Sequence, residues 1–500
     1  MNVLDHPWGI LAPEFAILGV ATLIMIIDLF MSDEQDRSIF GWMGIAGILL
    51  SIYFVFQNVG EPVQQIMNDM IRLDAFANIF KLLFLTGTAL VLLITINYVD
   101  KKEIKYDGEL YYLILTALLG AMIMASSADL ITLFVGLELL SISSYIMAGL
   151  KKKHIQSNES AFKYVVTGGI ASAILLYGMS FVYGLTGSTN LYVIADRLGE
   201  AYQGGFDLMV YLAFFLMFVG LTYKISAVPI HMWAPDVYQG APTPITAFLA
   251  SVSKAAGFAI VFRVFLTAFS SLVKFSPEGG MISVLFNQLP IYIGIVAAAT
   301  MIIGNTLALR QTNVKRMMAY SGIGHAGYLL IPFATITNIF FEQALYYLIG
   351  YLFATVGAFA IIMVVNRDQG TEDMKSFAGL YHRAPLTAFA MTILLISMAG
   401  LPITAGFFGK FYIFLSSVLR GNYWLAGIMV ATSVVSYFYY FGIIRQMYMR
   451  AGSDQPLKIP PTIATVVIIA VVVVITAGFV PNTVIDFLQV NFNLTEIFVR

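Results

Sequence analysis

Residues 223–248, YKISAVPIHMWAPDVYQGAPTPITAF, lie between two long apolar stretches and hold Pro229, Pro235, Pro242 and Pro244 just after Lys224. Proline inside a helix removes a backbone donor and clashes with the preceding turn. In hydrocarbon, the carbonyls freed in this way must find partners in protein or in cavity water. A second stretch has the same character. MAGLPITAGFFGKFYIF, residues 398–414, sets Gly400, Pro402, Gly406 and Gly409 before Lys410. Interrupted membrane helices at matching places in two halves of a chain point to a transport site.

The composition around these stretches belongs to a membrane. Of the 500 residues, 59% are hydrophobic and 11% charged, against roughly 25% charged in a soluble domain. Long apolar runs, in place of short alternating strands, predict an all-α polytopic membrane protein. The net charge of −1 gives no basic surface for nucleic acid. The absence of cysteine excludes disulfides and cysteine-held iron–sulfur centres on this chain. Five scattered histidines show no metal-ligand spacing. The first residues, MNVLDHPWGILAPEF, lack a basic n-region, so no cleavable signal peptide is expected.

Apolar runs near 20 residues long mark membrane helices. The sequence predicts fourteen, over 9–31, 39–58, 75–98, 109–126, 128–150, 160–186, 207–228, 243–270, 283–307, 314–335, 339–365, 384–419 (interrupted), 421–447 and 460–480. With the N-terminus outside, the loops after odd-numbered helices hold sixteen Lys and Arg, and the other loops and the tail hold five. This bias satisfies the positive-inside rule and would break if one helix were missed. Both termini are therefore expected outside.

Six bases remain inside the helices, and one acid, Glu138, stands in the middle of an apolar span. Lys81 and Arg263 lie near outer helix ends, so their stems are expected to snorkel to the interface. Lys163 sits three residues into its helix from the cytoplasmic side, where snorkelling and function are equally open. Lys224, Lys254 and Lys410 cannot reach water so easily; Ser251 precedes Lys254 by three residues and Gly257 follows by three. A lysine kept from water becomes able to lose and regain a proton near neutral pH. Glu138, with Ser141 and Tyr145 at i+3 and i+7, forms a polar stripe that should face the bundle. A structural ion pair would need one lysine; a row of several titratable groups suits proton relay. His325 has Ser321 at i−4 and Tyr328 at i+3. It is either a hydrogen-bonded core histidine or a further relay station.

If helices four to eight form one unit and nine to thirteen another, each break falls in the fourth helix of its unit, beside Lys224 or Lys410. An odd number of helices per unit orients the two oppositely. The expected organisation is thus a three-helix segment (1–108), two inverted five-helix repeats (109–270 and 281–448), and a last helix with tail (459–500).

HMWAPDVYQGAPTPITAFLASVSKAAGFA, LFVGLELLSISSYIM and AGLPITAGFFGKFYIF resemble the antiporter-like membrane-arm subunits of proton-translocating NADH:quinone oxidoreductase, respiratory complex I. The resemblance covers nearly the whole chain. Two departures set it apart from the family's L and M types: no long lateral helix follows the last span, and Lys410 stands where glutamate is expected in M. The resemblance implies a Glu138–Lys224 pair in which the glutamate tunes the lysine's proton affinity and Lys163 assists. It also implies a central relay at Lys254, a contribution from His325, and an exit half-channel at Lys410.

It further implies that this chain carries no cofactor, and that flavin, iron–sulfur clusters and the quinone site lie on partner subunits. Expected partners are neighbouring membrane-arm subunits and the lipid of a bacterial cytoplasmic membrane. A competing reading is a subunit of a multi-subunit cation/proton antiporter, which would be told apart by its genomic neighbours. A structural scaffold would leave the buried bases unexplained.

Overall fold

The computed structural model describes residues 8–32, 35–98, 104, 107–275, 281–284, 288–337, 339–453 and 455–498. Lys101, Lys102, Lys105 and Arg500, counted among the loop and tail charges above, lie outside them. Among the described residues, twelve helices are long and apolar enough to cross a membrane, where fourteen spans were expected, and two shorter apolar helices, Pro385–Ala399 and Ala405–Leu419, stand beside them. The first three are α1 (Ala12–Phe30), α2 (Ser38–Gln57) and α3 (Ala75–Ile96). Next come α4 (Gly108–Ser126), α5 (Leu130–Ala148) and α6 (Ile155–Thr186).

The seventh crossing differs from its expected span of 207–228. A surface helix α7 (Leu191–Ala201) leads into α8 (Asp207–Thr222), which stops two residues before Lys224. The chain is irregular until α9 (Trp233–Gly240) completes the crossing. The eighth, α10 (Thr243–Ala268), passes through a π-helical turn at Leu249–Ser253 and resumes as α-helix at Lys254. Such turns are frequent at functional sites. Then follow α11 (Leu289–Ala308), α12 (Val314–Thr335) and α13 (Phe340–Gln369). The twelfth crossing is broken as expected, into α14 (Pro385–Ala399) and α15 (Ala405–Leu419). α16 (Tyr423–Met449) and α17 (Pro461–Phe479) complete the set, and a short α18 (Pro481–Asn491) follows.

Local chemistry sets the starts of these helices. Asp74 accepts from the Ala77 amide at 2.8 Å and caps α3, Asp129 caps α5, and Asn313 caps α12. Proline occupies the first turn of α1, α11, α14 and α17, where its missing N–H costs nothing. Two short antiparallel hairpins, β1–β2 (Gln64–Ile66 with Ile71–Leu73) and β3–β4 (Val273–Phe275 with Met281–Ser283), stand where plain loops were expected.

The core is built on α10 and α13. Every residue of α10 is buried, as is most of α13, whereas α6 and α16 leave most of their residues exposed or partly exposed. α6 packs on both parts of the seventh crossing, α8 and α9; α13 packs on both parts of the twelfth, α14 and α15. The hairpins α4–α5 and α11–α12 also correspond. Lys224 precedes its break and Lys410 follows its own.

Candidate functional site

The backbone groups released at each break are taken up by side chains. At the first, the Val228 amide donates to Thr300 Oγ1 at 3.0 Å and the Trp233 indole donates to the Tyr223 carbonyl at 3.1 Å. At the second, the Ala399 carbonyl accepts from Lys410 Nζ at 2.8 Å and the Gly406 amide donates to Ser397 Oγ at 3.1 Å. Lys410 is thus a partner of the break itself. Gly400 has φ +83° and faces the Lys410 stem, where a Cβ would stand 2.7 Å from Cδ. A side chain there would meet both backbone strain and a clash.

Glu138 lies half-buried in the middle of α5 and accepts from Ser172 Oγ of α6 at 2.5 Å. Lys224 is buried, donates to Ser141 Oγ at 3.1 Å and has the Tyr164 ring 5.8 Å away. The two charges attract one another, yet make no ion pair within 4.0 Å among the described residues. Serines in adjacent positions take the hydrogen-bonding valences of both groups, so the carboxylate and ammonium communicate through space and hydroxyls. Gly257 lets α10 approach Lys224 closely: a Cβ there would lie 3.3 Å from Lys224 Cβ and 2.7 Å from Ile225 Cγ2.

Lys163 is not beside Glu138. It is nine residues before Ser172 on α6, a separation of about 13 Å along the helix. Its ammonium, on a 40% exposed side chain, lies 2.6 Å from both Glu159 and Asp236. Between Lys163 and the Glu138 region runs a line of hydroxyls. Thr167 Oγ1 and Tyr223 OH are 3.0 Å apart, and the Tyr145 hydroxyl packs against Gly168.

Lys254 begins the α-helical part of α10, donates to the Gly322 carbonyl at 2.6 Å and lies 3.5 Å from Tyr351 OH. The Tyr351 ring is 4.8 Å from that of His325. His325 Nδ1 lies 2.5 Å from Tyr347 OH, and Nε2 3.0 Å from Tyr440 OH. Ser321 hydrogen-bonds the same Tyr440 hydroxyl. Lys410 Nζ sits 4.7 Å from the Tyr328 ring centroid and donates to Ser433 Oγ at 3.0 Å. Lys254, His325 and Lys410 are therefore brought onto one buried polar axis. Lys410 and Ser433 open on a cavity of about 210 Å³ lined also by Phe407 and Tyr437. A larger cavity, about 810 Å³, opens at the basic face beside Ala241 and Thr243, where α10 begins.

Lys81 and Arg263 do not snorkel. Lys81 is buried against Glu14 at 2.7 Å, and Arg263 is fully buried with its guanidinium on Asp74 at 2.5 and 2.8 Å. Both face inward, where a carboxylate from another helix or cap meets them. Sequence reasoning also missed Ser172, Asp236, Arg316, Ser433 and the tyrosines Tyr347, Tyr351 and Tyr440. Asp236, in the middle of the interrupted stretch, was the one open to detection. The hydroxyls are indistinguishable from core residues until helices are packed.

No group of three or more histidine, aspartate or glutamate side chains suited to a metal occurs among the described residues, and the chain has no cysteine.

A family model described as "NADH:quinone oxidoreductase/Mrp antiporter, TM" matches residues 127–436. The chain is 55% identical over 495 residues to NADH-quinone oxidoreductase subunit N of Brevibacillus brevis, covering 98% of this chain and 96% of that one. It superposes on a chain of respiratory complex I from Thermus thermophilus with bound aureothin with TM-score 0.78 and 28% identity, covering 95% and 98% of the two chains. A chain of the Mrp complex from Dietzia sp. shares the fold, with TM-score 0.81, 18% identity and coverage of 98% and 97%. The chain belongs to the NADH:quinone oxidoreductase/Mrp antiporter transmembrane family and, within it, to the subunits N of NADH-quinone oxidoreductase.

Proposed function

We propose that the row of half-buried Glu138 and buried Lys224, Lys254, His325 and Lys410, entered at Lys163, is the proton path of this proton-pumping membrane subunit of NADH-quinone oxidoreductase. The basic face is cytoplasmic and both termini lie outside, in a bacterial cell membrane. The chain works beside other membrane-arm subunits; flavin, iron–sulfur clusters and quinone are held elsewhere in the complex. Residues 109–270 and 281–448 act as two inverted half-paths, the first opening inward and the second outward.

The observation that carries this reading is the contact sequence from Lys254 through Tyr351 and His325 to Tyr440, with Lys410 against Tyr328. Hydroxyl and imidazole groups in such a row can each accept one proton and release another. A proton taken up near Lys163 passes the Thr167–Tyr223 hydroxyls to the Glu138–Lys224 region. It then reaches Lys254 and His325, and leaves by Lys410 and Ser433. Electron transfer on partner subunits drives the cycle by biasing which of the buried charges is occupied.

Lys254→Met in the assembled complex tests this. NADH-driven proton translocation should be lost while assembly is retained. Translocation at the parental rate would remove Lys254 from the path.

A further inference from the structure

Asp236 lies on α9, the half-helix that completes the first broken crossing, and holds one cation from each half of the chain. Lys163 Nζ of α6 is 2.6 Å from Oδ2, and Arg316 Nη1 of α12 is 2.5 Å from Oδ1. One turn earlier on α9, Trp233 stacks on Tyr164, the neighbour of Lys163, with ring centroids 4.5 Å apart. Arg316 is also held by Gln239 Oε1 at 3.0 Å and Gln311 Oε1 at 3.4 Å. The charged groups that face Lys163 are Glu159 on its own helix and Asp236 on α9, with Arg316 behind the latter.

Two cations on one carboxylate are not equivalent here. Arginine stays protonated under all relevant conditions, whereas lysine can give up its proton. Were Lys163 the sole partner, its deprotonation would leave a partly buried carboxylate uncompensated, which is strongly unfavourable. With Arg316 on the other oxygen, Asp236 remains paired whichever state Lys163 adopts. We propose that Asp236 is a positioning residue for proton uptake: it fixes Lys163 at the mouth of the Thr167–Tyr223 line, and Arg316 frees Lys163 to exchange its proton. This rests on the proton path proposed above.

The test is the pH profile of NADH-driven proton translocation in vesicles carrying the assembled complex. Asp236→Asn removes one of the two anions on Lys163, leaving Glu159, and should move the profile to lower pH. Arg316→Gln leaves Asp236 to Lys163 alone and should move it to higher pH. Each shift should be about one pH unit, the usual effect of one close charge. Asp236→Glu should restore the parental profile. In a Lys163→Gln background neither substitution should move what profile remains. Opposite shifts are not produced by loosening α9, which would lower the rate at every pH alike. Shifts of the same sign, no shift, or shifts that persist without Lys163 would overturn the proposal while leaving the path standing. Parental translocation in Lys254→Met would overturn the path, and this proposal with it.

Discussion

Ser172 Oγ of α6 donates to Glu138 Oε1 at 2.5 Å, so the carboxylate in the middle of α5 is anchored by a neutral hydroxyl, with Lys224 held one helical turn away on Ser141. A carboxylate fixed in this way keeps its charge close to Lys224 without locking the lysine in a contact ion pair. Glu138→Ala should lower proton translocation and coupled NADH oxidation by roughly tenfold or more, with assembly retained. Glu138→Asp should keep part of both. Ser172→Ala should fall between Glu138→Ala and the parent, since it removes one hydrogen bond to a charge and leaves the charge in place. Wild-type rates in assembled Glu138→Ala would exclude the carboxylate from the mechanism.

The uneven distribution of basic residues predicts sidedness. In a chain free of cysteine, Lys152→Cys should react with an impermeant thiol reagent only from the cytoplasmic face. Gln203→Cys, in the exposed turn between α7 and α8, should react only from outside. Reversed labelling would invert the proposed orientation.

The Asp74–Arg263 pair should be structural. Both groups are fully buried, and Arg263 also donates to the Ala125 carbonyl at 2.6 Å. Removing one member of a buried pair costs about 3–5 kcal/mol because the other is left unpaired. Asp74→Ala should therefore lower the amount of assembled complex or its thermal stability markedly. Asp74→Asn combined with Arg263→Met should recover part of the loss. Unchanged thermal denaturation in Asp74→Ala would refute the assignment.

Most of the fold was legible because lipid leaves the backbone few choices. Apolar runs and the charge of their loops count the helices, and proline clusters mark both breaks. Lys224, Lys254 and Lys410 stood out because a base in an apolar run has no cheap explanation. The exact partners were not legible. Glu138 and Lys224 read as a tuning pair, but their hydrogen-bond partners, Ser172 of α6 for Glu138 and Ser141 of α5 for Lys224, did not. Lys81 and Arg263 read as snorkelling because depth alone was considered; which way a side chain faces depends on helix rotation, and Glu14 and Asp74 lie on distant parts of the chain. Asp74 both caps α3 and holds Arg263, a second role that its place before a helix does not reveal. The surface helices α7 and α18, eleven residues each, fell below the length that a search for spans detects.

The proposed path is tested most directly by replacing Lys224 and Lys410 separately with arginine and measuring protons moved per NADH oxidised in vesicles of the assembled complex. Each ammonium is held by neutral oxygens, Ser141 for Lys224 and Ala399 and Ser433 for Lys410. Arginine would keep the positive charge but could not release its proton. If both lysines carry protons, each substitution should abolish or severely reduce the ratio, and electron transfer should slow with it. Full stoichiometry and rate in both arginine variants would show that the two lysines are fixed charges and contradict the path.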